Sequence, residues 1–284
     1  MTFGLEESFR IRNLIGMIVC KGAKELERMR EANRLVSKTL DLLGTMVRPG
    51  MTTRQLDAAA EDLILGSGAR PAFKGYRGFP ASVCASVNNQ IVHGIPNDQP
   101  LEEGDILSLD VGVYYKGFYG DSAWTFCVGE VSPELRNLLD VTRESLYLGI
   151  EQVVVGNRIS DISHGIQKYV EAYGFSVVRE FVGHGIGRFL HEEPQVPNYG
   201  DPGKGPRLKP GMVLAIEPMV NSRGPGVRVL EDRWTAVTAD GGYSAHFEHS
   251  VAVTENGPWI LSNSSGRTRR GASSPDSAIA GSQE

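Results

Sequence analysis

The sequence predicts a mixed α/β (α+β) fold built from two similar halves. Helical and strand-like hydrophobic patterns alternate along the chain, and a weak repeat relates its first part to its second. Its 284 residues, 40% of them hydrophobic, are enough to bury a large core. We expect one folded domain at residues 21–261, with halves of about 21–150 and 151–261. An N-terminal extension (1–20) precedes it, and a polar, disordered tail (262–284) follows it.

Four amphipathic helices are expected, in two pairs. The first is Ala23–Met46, where apolar residues recur at three- and four-residue spacing. Thr52 or Thr53 caps the second helix, the third covers about 133–153 and opens with a proline, and the fourth covers 159–173. Strand-like runs are found at 82–87, 106–114, 123–128, 176–181, 212–216 and 249–253.

The internal repeat aligns two helix-pair junctions and two later strands. Segment RPGMTTRQL (48–56) matches VVGNRISDI (154–162), and LEEGDILSLDV (101–111) matches LKPGMVLAIEP (208–218). The two offsets, about 106 and 107 residues, are nearly equal. Coincidence between two common helix-pair patterns is one interpretation. The agreement of the offsets favours the other, in which two similar halves meet around a pseudo-twofold axis.

The repeat aligns two acidic residues, Asp110 and Glu217. Each follows a run of apolar strand residues, so each is expected at or near a strand end. Each half then supplies a second acid from its next strand, Asp121 in the first and Glu248 in the second. The segment between Asp110 and Asp121 has the length of a hairpin with Lys116-Gly117 at its turn. Four carboxylates are therefore expected to converge near the axis.

Four converging carboxylates cannot all be ionised unless cations lie between them. Two divalent metal ions bridged by carboxylates would relieve the repulsion. Oxygen ligands together with an imidazole suit Mn, Fe, Co or Zn. For each acid alone, a surface carboxylate or a structural ion pair is the simpler interpretation, but their match with the repeat favours a metal site.

Histidines are the remaining candidates for the site. The sequence contains six, and the segments around His93, His184 and His191 combine them with glycines or turn residues. The glycines on both sides of His184 allow the backbone to approach a ligand closely. Strand alternation places His246 on the same face as the neighbouring glutamate and turns His249 away. We therefore expect His249 to be structural and His246 to lie behind the ligands at most.

Composition and charge exclude several classes of protein. A net charge of −5, from 29 basic and 34 acidic residues, offers no basic surface for nucleic acid. The longest apolar run is shorter than the roughly 20 residues of a membrane helix, and the N-terminus lacks the apolar core of a secretion signal. Three widely spaced cysteines predict neither a disulfide framework nor a cysteine-based zinc finger. We expect a cytoplasmic protein without nucleic-acid or membrane partners.

The segment FVGHGIGRFLHEEPQVPNY (181–199) closely resembles the signature of the type I methionine aminopeptidases. SLDVGVYYKGFYGDSAWTF, MVLAIEPMV and HFEHSVAVT resemble the other metal-binding segments of that family, in the right order, over roughly residues 17–262. Neither a zinc-binding extension nor the long insertion of type II enzymes is present, so the chain is most similar to the short bacterial form. The resemblance implies a "pita-bread" fold, with an antiparallel sheet and two helix pairs.

The resemblance also implies an activity and a site. The activity is hydrolytic removal of the N-terminal methionine from nascent polypeptides, with a small second residue preferred. Glu217 would be the proton acceptor as well as a ligand, and His93 and His191 would hold the substrate at the scissile amide. The ligands of the two metal ions would be Asp110, Asp121, His184, Glu217 and Glu248. The pocket for the methionine side chain would contain Tyr76, Phe79, Cys84 and Trp234.

The sequence departs from the family pattern at four positions, none of them a ligand. Gly112 stands where a hydroxyl residue is expected, and His246 where glutamine is usual. Tyr119 stands where histidine is common, and Phe73 is bulkier than expected at the pocket rim. These departures leave metal preference and pocket size open. The resemblance further implies a monomer, and it leaves docking on the ribosome open.

Two other functions remain as alternatives. A non-catalytic binding protein on the same fold would have lost metal ligands, whereas all five are present here. An Xaa-Pro dipeptidase of the wider fold would carry a large additional N-terminal domain, for which the 16 residues before Met17 leave no room. Both rank below the aminopeptidase.

Overall fold

The computed structural model describes residues 17–264 of the chain. Within this range, no helix is both long and apolar enough to cross a bilayer. Thr52 caps the second helix, because its hydroxyl accepts a hydrogen bond from the Gln55 N–H while the Gln55 side chain accepts one from the Thr52 N–H. The helices of this range are α1 (Ala23–Met46), α2 (Thr53–Gly66), α3 (Pro133–Glu151) and α4 (Ile159–Ala172). The predicted helices are confirmed to within two residues.

The strands alternate with these helices in the predicted order and outnumber the predicted runs. In chain order the described strands are β1 (Arg70–Pro71), β2 (Val83–Val87), β3 (Gln90–Val92), β4 (Ile106–Tyr115), β5 (Phe118–Cys127), β6 (Ser176–Val177), β7 (Gly183–Gly185), β8 (Glu192–Val196), β9 (Val213–Ile216), β10 (Met219–Asn221), β11 (Val227–Val229), β12 (Ala236–Thr238), β13 (Ser244–His246), β14 (His249–Thr254) and β15 (Gly257–Ile260).

Three of these strands correct the sequence-based expectation, and one of them, β6, is shorter than the run predicted at 176–181 because only Ser176 and Val177 pair with β10. The run predicted at 123–128 begins five residues earlier, because β4 and β5 form one long hairpin whose ladder continues to Tyr115 opposite Phe118. Lys116 and Gly117 both have positive φ (49° and 89°), as a two-residue hairpin turn of type I′ requires. Asp110 therefore lies in the middle of β4 rather than near a strand end.

Two antiparallel sheets form the body of the two halves. In the first, β4 is flanked by β1 and β2 and also pairs with β5; the second has the order β15-β14-β9-β7-β8. Helix α1 packs on β4 and β5, and α3 packs on α4 and on β9. The sheets approach each other where β5 lies beside β13 and β14. Each half thus consists of a sheet covered by a helix pair.

The internal repeat is visible in equivalent backbone hydrogen bonds. The N–H of Gly50 donates to the carbonyl of Leu101 at 2.8 Å, and the N–H of Gly156 donates to that of Leu208 at 3.1 Å. Both glycines have positive φ, 81° and 95°. The aligned Gly104 N–H and Gly211 N–H donate at 2.9 Å to the carbonyls of Val128, directly after β5, and of Val253 in β14. Aligned residues therefore have similar conformations and equivalent partners, which supports two similar halves.

The predicted boundary at residue 262 needs correction. Ser262 is fully buried, and its hydroxyl accepts a hydrogen bond from the Ser250 N–H at 3.1 Å. Its carbonyl accepts another from the Ser37 hydroxyl of α1 at 2.7 Å. The folded body therefore extends past residue 261 at least to the end of the described range. Residues 1–16 of the predicted extension and 265–284 of the predicted tail lie outside that range.

Candidate metal centre

One cavity of about 150 Å³ brings the predicted site residues together. It opens into a larger cavity of about 710 Å³, with which it shares Tyr76, Arg77, Leu190 and two histidines. The predicted residues that line the smaller cavity are Asp110, Asp121, His184, Glu217, Glu248, His93 and His191.

The β4–β5 hairpin places the first two carboxylates on one face of the first sheet. Asp110 pairs with Ala123, and Asp121 pairs with Gly112. Gly112 is two residues from Asp110, and side chains two residues apart in a strand share a face. Asp110 and Asp121 are therefore diagonal neighbours that both project into the cavity.

The second half places its two carboxylates directly opposite each other. Glu217 follows β9 and Glu248 precedes β14, and the ladder between these strands pairs Ile216 with His249. In the first half, Leu109 pairs with Trp124 at the equivalent place. This equivalence matches Glu217 with Asp110, as predicted.

The two ladders also show that the second acids of the two halves, Asp121 and Glu248, do not correspond to each other as the repeat predicted. Glu248 corresponds to Ala123, and the residue that corresponds to Asp121 is His246. The second acids of the two halves are thus two residues out of register. His246 is fully buried, and its Nε2 lies 3.6 Å from Glu217 Oε2. It reaches the carboxylate cluster because it occupies the place that an acid occupies in the first half.

Hydrogen bonds across the two halves fix the strands that carry Asp121 and Glu248. The Ser122 hydroxyl donates to the Glu248 carbonyl at 2.6 Å, and the Glu248 N–H donates to the Ala123 carbonyl at 2.9 Å. The Thr125 hydroxyl donates to the carbonyl of His246 at 2.8 Å. The acids of both halves are therefore held on one continuous, buried framework.

His184 is placed by a short strand, β7, that has glycine on both sides of the histidine. A Cβ on Gly183 would overlap the carbonyl of Ala215, and one on Gly185 would overlap that of Glu193. The His184 Nδ1 donates to the Gly185 carbonyl at 2.9 Å. Nε2 therefore keeps its lone pair, and it lies 3.7 Å from Glu217 Oε1. A histidine whose other nitrogen is fixed in this way is a typical metal ligand.

The side chains of the cavity fit a divalent cation. Asp121, His184 and Glu248 each offer one ligand atom, and these atoms lie within 4.8 Å of one another. Oxygens of Asp110, Asp121 and Glu248 are buried, and residues 17–264 offer them no hydrogen-bond donor. Buried carboxylate oxygens without donors are costly unless a cation binds them.

The same environment perturbs the protonation of the acids. Burial raises the pKa of Asp110 to about 7, with His246 opposing and Glu217 reinforcing the shift. Burial likewise raises the pKa of Glu217 to about 7, against the influence of His184. Burial and the neighbouring acids raise the pKa values of Asp121 and Glu248 well above their usual range. Burial and mutual repulsion therefore oppose the ionisation of all four acids together.

His93 and His191 face the same cavity from two other segments. Desolvation, followed by the influence of His246, lowers the pKa of His93 to about 4. Desolvation, reinforced by His184 and Arg77, lowers the pKa of His191 to about 3. Both imidazoles are neutral near pH 7. His93 also has a positive φ of 60°, a strained conformation for a non-glycine residue and one found often at functional sites.

Tyr76 orients the imidazole of His191. Its hydroxyl lies 2.9 Å from His191 Nδ1, and the two rings stack with centroids 5.4 Å apart. When this hydroxyl donates to Nδ1, the proton of the neutral ring is on Nε2. The other ring contact of His191 is with His184, at 4.2 Å between centroids.

The apolar part of the cavity contains the residues predicted for a side-chain pocket. Trp234 packs edge-on against Phe79, with ring centroids 5.2 Å apart, and Tyr76 and Cys84 complete this lining. Burial, reinforced by Asp110, raises the pKa of the Cys84 thiol well above its usual value. The thiol is therefore protonated and contributes a small apolar surface.

Two departures from the family pattern lie in contact with each other. A Cβ on Gly112 would overlap the ring of Phe73 and the side chain of Ala72. Phe73 also lines the cavity. The bulky side chain of Phe73 therefore fills the space that a side chain at position 112 would need. The absence of a side chain at 112 and the large ring at 73 compensate for each other.

One further prediction is confirmed, and two residues that line the cavity were not predicted. His249 is structural, since its Nδ1 lies 2.8 Å from the Ser262 hydroxyl and its ring packs on Tyr147. Leu190 and Arg77 line the cavity but were not singled out. Leu190 could have been found as the apolar neighbour of His191. Arg77 has no sequence signal, because its place depends on a left-handed turn conformation with φ of 50°.

Comparisons with known proteins agree with this geometry. The model of a family described as metallopeptidase family M24 matches residues 27–255. Methionine aminopeptidase 1 of Bacillus subtilis is 56% identical over 245 residues, which cover 86% of this chain and 99% of that protein. The crystal structure of methionine aminopeptidase from Thermotoga maritima is 46% identical with a TM-score of 0.86, covering 87% of this chain and 100% of its own.

A more distant likeness concerns the fold alone. The Xaa-Pro dipeptidase from Bacillus anthracis has a TM-score of 0.70 at 23% identity, and the match covers 92% of this chain but 64% of that one. The pseudo-twofold fold expected from the sequence is confirmed by the nearer structures.

Proposed function

The chain belongs to metallopeptidase family M24 and, within it, to the methionine aminopeptidases, and from this premise we propose how its site acts. The protein removes the N-terminal methionine from nascent proteins and peptides and prefers a small second residue. Two divalent metal ions, drawn from Co, Mn, Fe and Zn, are held by Asp110, Asp121, His184, Glu217 and Glu248. The observation that supports this most is the convergence of four carboxylates, two buried and two partly buried, and an imidazole on one cavity beside an apolar lining.

Divalent cations in such a site supply Lewis acidity, which polarises a carbonyl and lowers the pKa of a neighbouring water toward neutrality. The side chains of the chain perform the remaining tasks. Asp121 and Glu248 would hold the ions from the two halves, and hydrogen bonds between the strands that carry them fix their relative position. Glu217, at the edge of the cluster between His184 and His246, accepts the proton of the attacking water at its carboxylate oxygen. It then passes this proton to the leaving amine.

The two neutral histidines act on the scissile amide. His191, with its proton on Nε2, donates a hydrogen bond to the oxygen on which negative charge develops. His93 contacts the scissile nitrogen, and the edge of its ring is fixed against Phe181 at 5.3 Å between centroids. Neutral imidazoles suit this role because each can donate one hydrogen bond without adding positive charge beside the metal ions.

The two cavities account for the expected specificity. The small cavity of about 150 Å³ receives the methionine side chain, whose thioether suits a lining of aromatic rings and a thiol. The larger adjoining cavity receives the rest of the polypeptide. Crowding where the two cavities meet excludes a large second residue. The enzyme acts as a monomer in the cytoplasm, and its partners are the N-termini of nascent chains.

The proposal is tested with purified protein and short peptides. Treatment with EDTA should abolish release of methionine from Met-Ala-Ser, and added Co or Mn should restore it. The restored enzyme should leave Met-Lys-Ser uncleaved. Cleavage of Met-Ala-Ser that survives EDTA would contradict the metal site, and equal cleavage of both peptides would contradict the steric selection.

A further inference from the structure

A buried ion pair outside the metal centre joins two distant parts of the chain. Lys21 Nζ lies 2.6 Å from Glu192 Oε2, and the side chains are 3% and 7% exposed. Lys21 directly precedes the cap of α1, whereas Glu192 is the first residue of β8 and follows His191. Glu192 also lines the larger cavity, but the metal ligands and the substrate-holding histidines named above include neither member of the pair.

The segment that joins β7 to β8, residues 186–191, depends on Glu192 for its shape. While Glu192 Oε2 binds the ammonium, Oε1 accepts a hydrogen bond from the Phe189 N–H at 3.1 Å. The Gly187 carbonyl, in the same segment, accepts from the Tyr119 N–H at 2.8 Å. This segment begins after His184 and ends at His191, so its conformation sets the position of the His191 imidazole.

Lys21 is itself held firmly to the second half. Its N–H donates to the Gly211 carbonyl at 2.7 Å, and Gly211 donates to Val253 of β14 at 2.9 Å. A Cβ on Gly211 would stand against the backbone of Lys21. The ammonium therefore reaches Glu192 from a fixed backbone.

Gly187 provides the space through which the lysine side chain passes. A Cβ at this position would overlap Lys21 Cε and would also stand 2.8 Å from Nζ and 2.7 Å from Glu192 Oε1. Lys21 could relieve this overlap only by moving its ammonium away from the carboxylate. The loop backbone and the ion pair are thus complementary in shape.

Burial of two charges is a poor source of stability, because desolvation offsets most of the attraction between them. An apolar pair of similar size would stabilise the fold equally well. An apolar pair, however, would have no oxygen to accept the hydrogen bond from the Phe189 N–H. It would also lack the directional contact between ammonium and carboxylate. We propose that Lys21 and Glu192 are positioning residues that hold the 186–191 segment so that His191 faces the scissile amide; this inference rests on the function proposed above.

The test separates position from stability. Lys21→Met alone leaves Glu192 as an uncompensated buried charge and should lower the melting temperature. The double variant Lys21→Met/Glu192→Leu should recover that temperature to near the wild-type value. Its kcat on Met-Ala-Ser should nevertheless remain about 10- to 100-fold lower, with KM and bound metal unchanged, because a misplaced group of about 1 Å can cost this much.

Two further variants and one direct measurement complete the design. Gly187→Ala keeps both charges but displaces the ammonium, and should lower kcat in the same way. Arg54→Gln is the matched control, since it removes an exposed ion pair with Asp98 away from both cavities and should change kcat by less than about twofold. Hydrogen–deuterium exchange of metal-free protein should be faster at residues 186–191 in the double variant and unchanged in Arg54→Gln.

The outcomes distinguish this inference from the proposed function. A double variant that regains wild-type kcat together with its melting temperature would overturn the positioning role, and so would unchanged exchange at 186–191. Wild-type protein that releases no methionine from Met-Ala-Ser would instead contradict the proposed function. In that case the exchange measurement alone decides whether the pair holds the segment.

Discussion

Ser250 holds Asp121 by both of its backbone groups. The Ser250 hydroxyl accepts a hydrogen bond from the Asp121 N–H at 3.3 Å and donates one to the Asp121 carbonyl at 2.8 Å. The two residues belong to different halves, and Ser250 is fully buried. The Ser250 side chain therefore adds to the hydrogen bonds that hold β5 against β14 at the candidate metal centre.

Ser250→Ala should lower both stability and metal affinity. The substitution leaves two buried backbone groups without a partner, which should cost about 1–3 kcal/mol of unfolding free energy. Metal affinity should fall about 10- to 100-fold, as for other changes behind a metal ligand. Urea denaturation and metal titration measure the two effects, with Thr45→Ala on the exposed side of α1 as control. Wild-type affinity in Ser250→Ala would show that this contact does not place Asp121.

Asp121→Asn should preserve the stability of the metal-free fold but weaken metal binding at the candidate centre. Its carboxylate is buried among other acids, and an amide removes this repulsion without changing the size of the side chain. The metal-free variant should therefore melt at the same or a higher temperature than the metal-free wild type. Added Mn should raise the melting temperature of the wild type only, as thermal scans with and without Mn will show. Asp140→Asn, in a partly buried ion pair on α3 away from the cavity, should retain the full effect of Mn.

Metal binding should depend on pH with a defined sign. The pKa values of Asp110 and Glu217 are raised to about 7 in the metal-free protein, so both acids carry protons below that pH. A cation must displace these protons, and its affinity should therefore fall as pH decreases through 7. Calorimetry in two buffers of different ionisation enthalpy should detect proton release at pH 6 and less release at pH 8.5. Absence of proton release at pH 6 would mean that the acids are already ionised without metal.

His191→Ala should remove turnover while the metal ions remain bound. The imidazole donates to the developing oxyanion in the proposed mechanism, and loss of one such donor typically lowers kcat about 10²- to 10³-fold. Metal analysis of the variant, together with its kcat on Met-Ala-Ser, provides the measurement. His164→Ala on α4 is the control for removal of a histidine elsewhere. Loss of metal from the His191 variant would assign this residue to the ligands instead.

Positions 73 and 112 should behave as a coupled pair. Gly112→Ser forces a side chain into the ring of Phe73 and should cost about 1–3 kcal/mol of unfolding free energy. Combined with Phe73→Ala, which vacates that space, the serine should cost much less. Denaturation of the two single variants and the double variant gives the coupling energy. Strictly additive losses would show that the two side chains do not compete for one volume.

The sequence predicted the helices well because each has strong local signals. Ala23–Met46 has a regular apolar spacing, and α2 and α3 begin at a threonine and at a serine followed by proline. The strands around His184 were missed for the opposite reason. Gly183–Gly185 has no apolar alternation, and it is a strand only because β8 and β9 pair with it on both sides.

For the acids, too, the sequence predicted one correspondence between the two halves and missed another that depends on strand pairing. The equivalence of Asp110 and Glu217 could be read from the repeat, because both follow matched strands. The mismatch between Asp121 and Glu248 could not. A two-residue turn joins β4 to β5, whereas β10 to β13 are inserted between β9 and β14, and only the ladder reveals the true correspondence. The place of His246 among the acids follows from that ladder.

Because the proposed ligands are divided between the halves, an incomplete chain would lack part of the metal centre. A polypeptide synthesised as far as α3 contains Asp110 and Asp121 but lacks Ser250, whose hydroxyl holds the backbone of Asp121. On the proposed ligand set, capture of metal would wait until residue 250 has been made and its strand has closed against β5. An immature chain would then offer no hydrolytic site to the proteins around it.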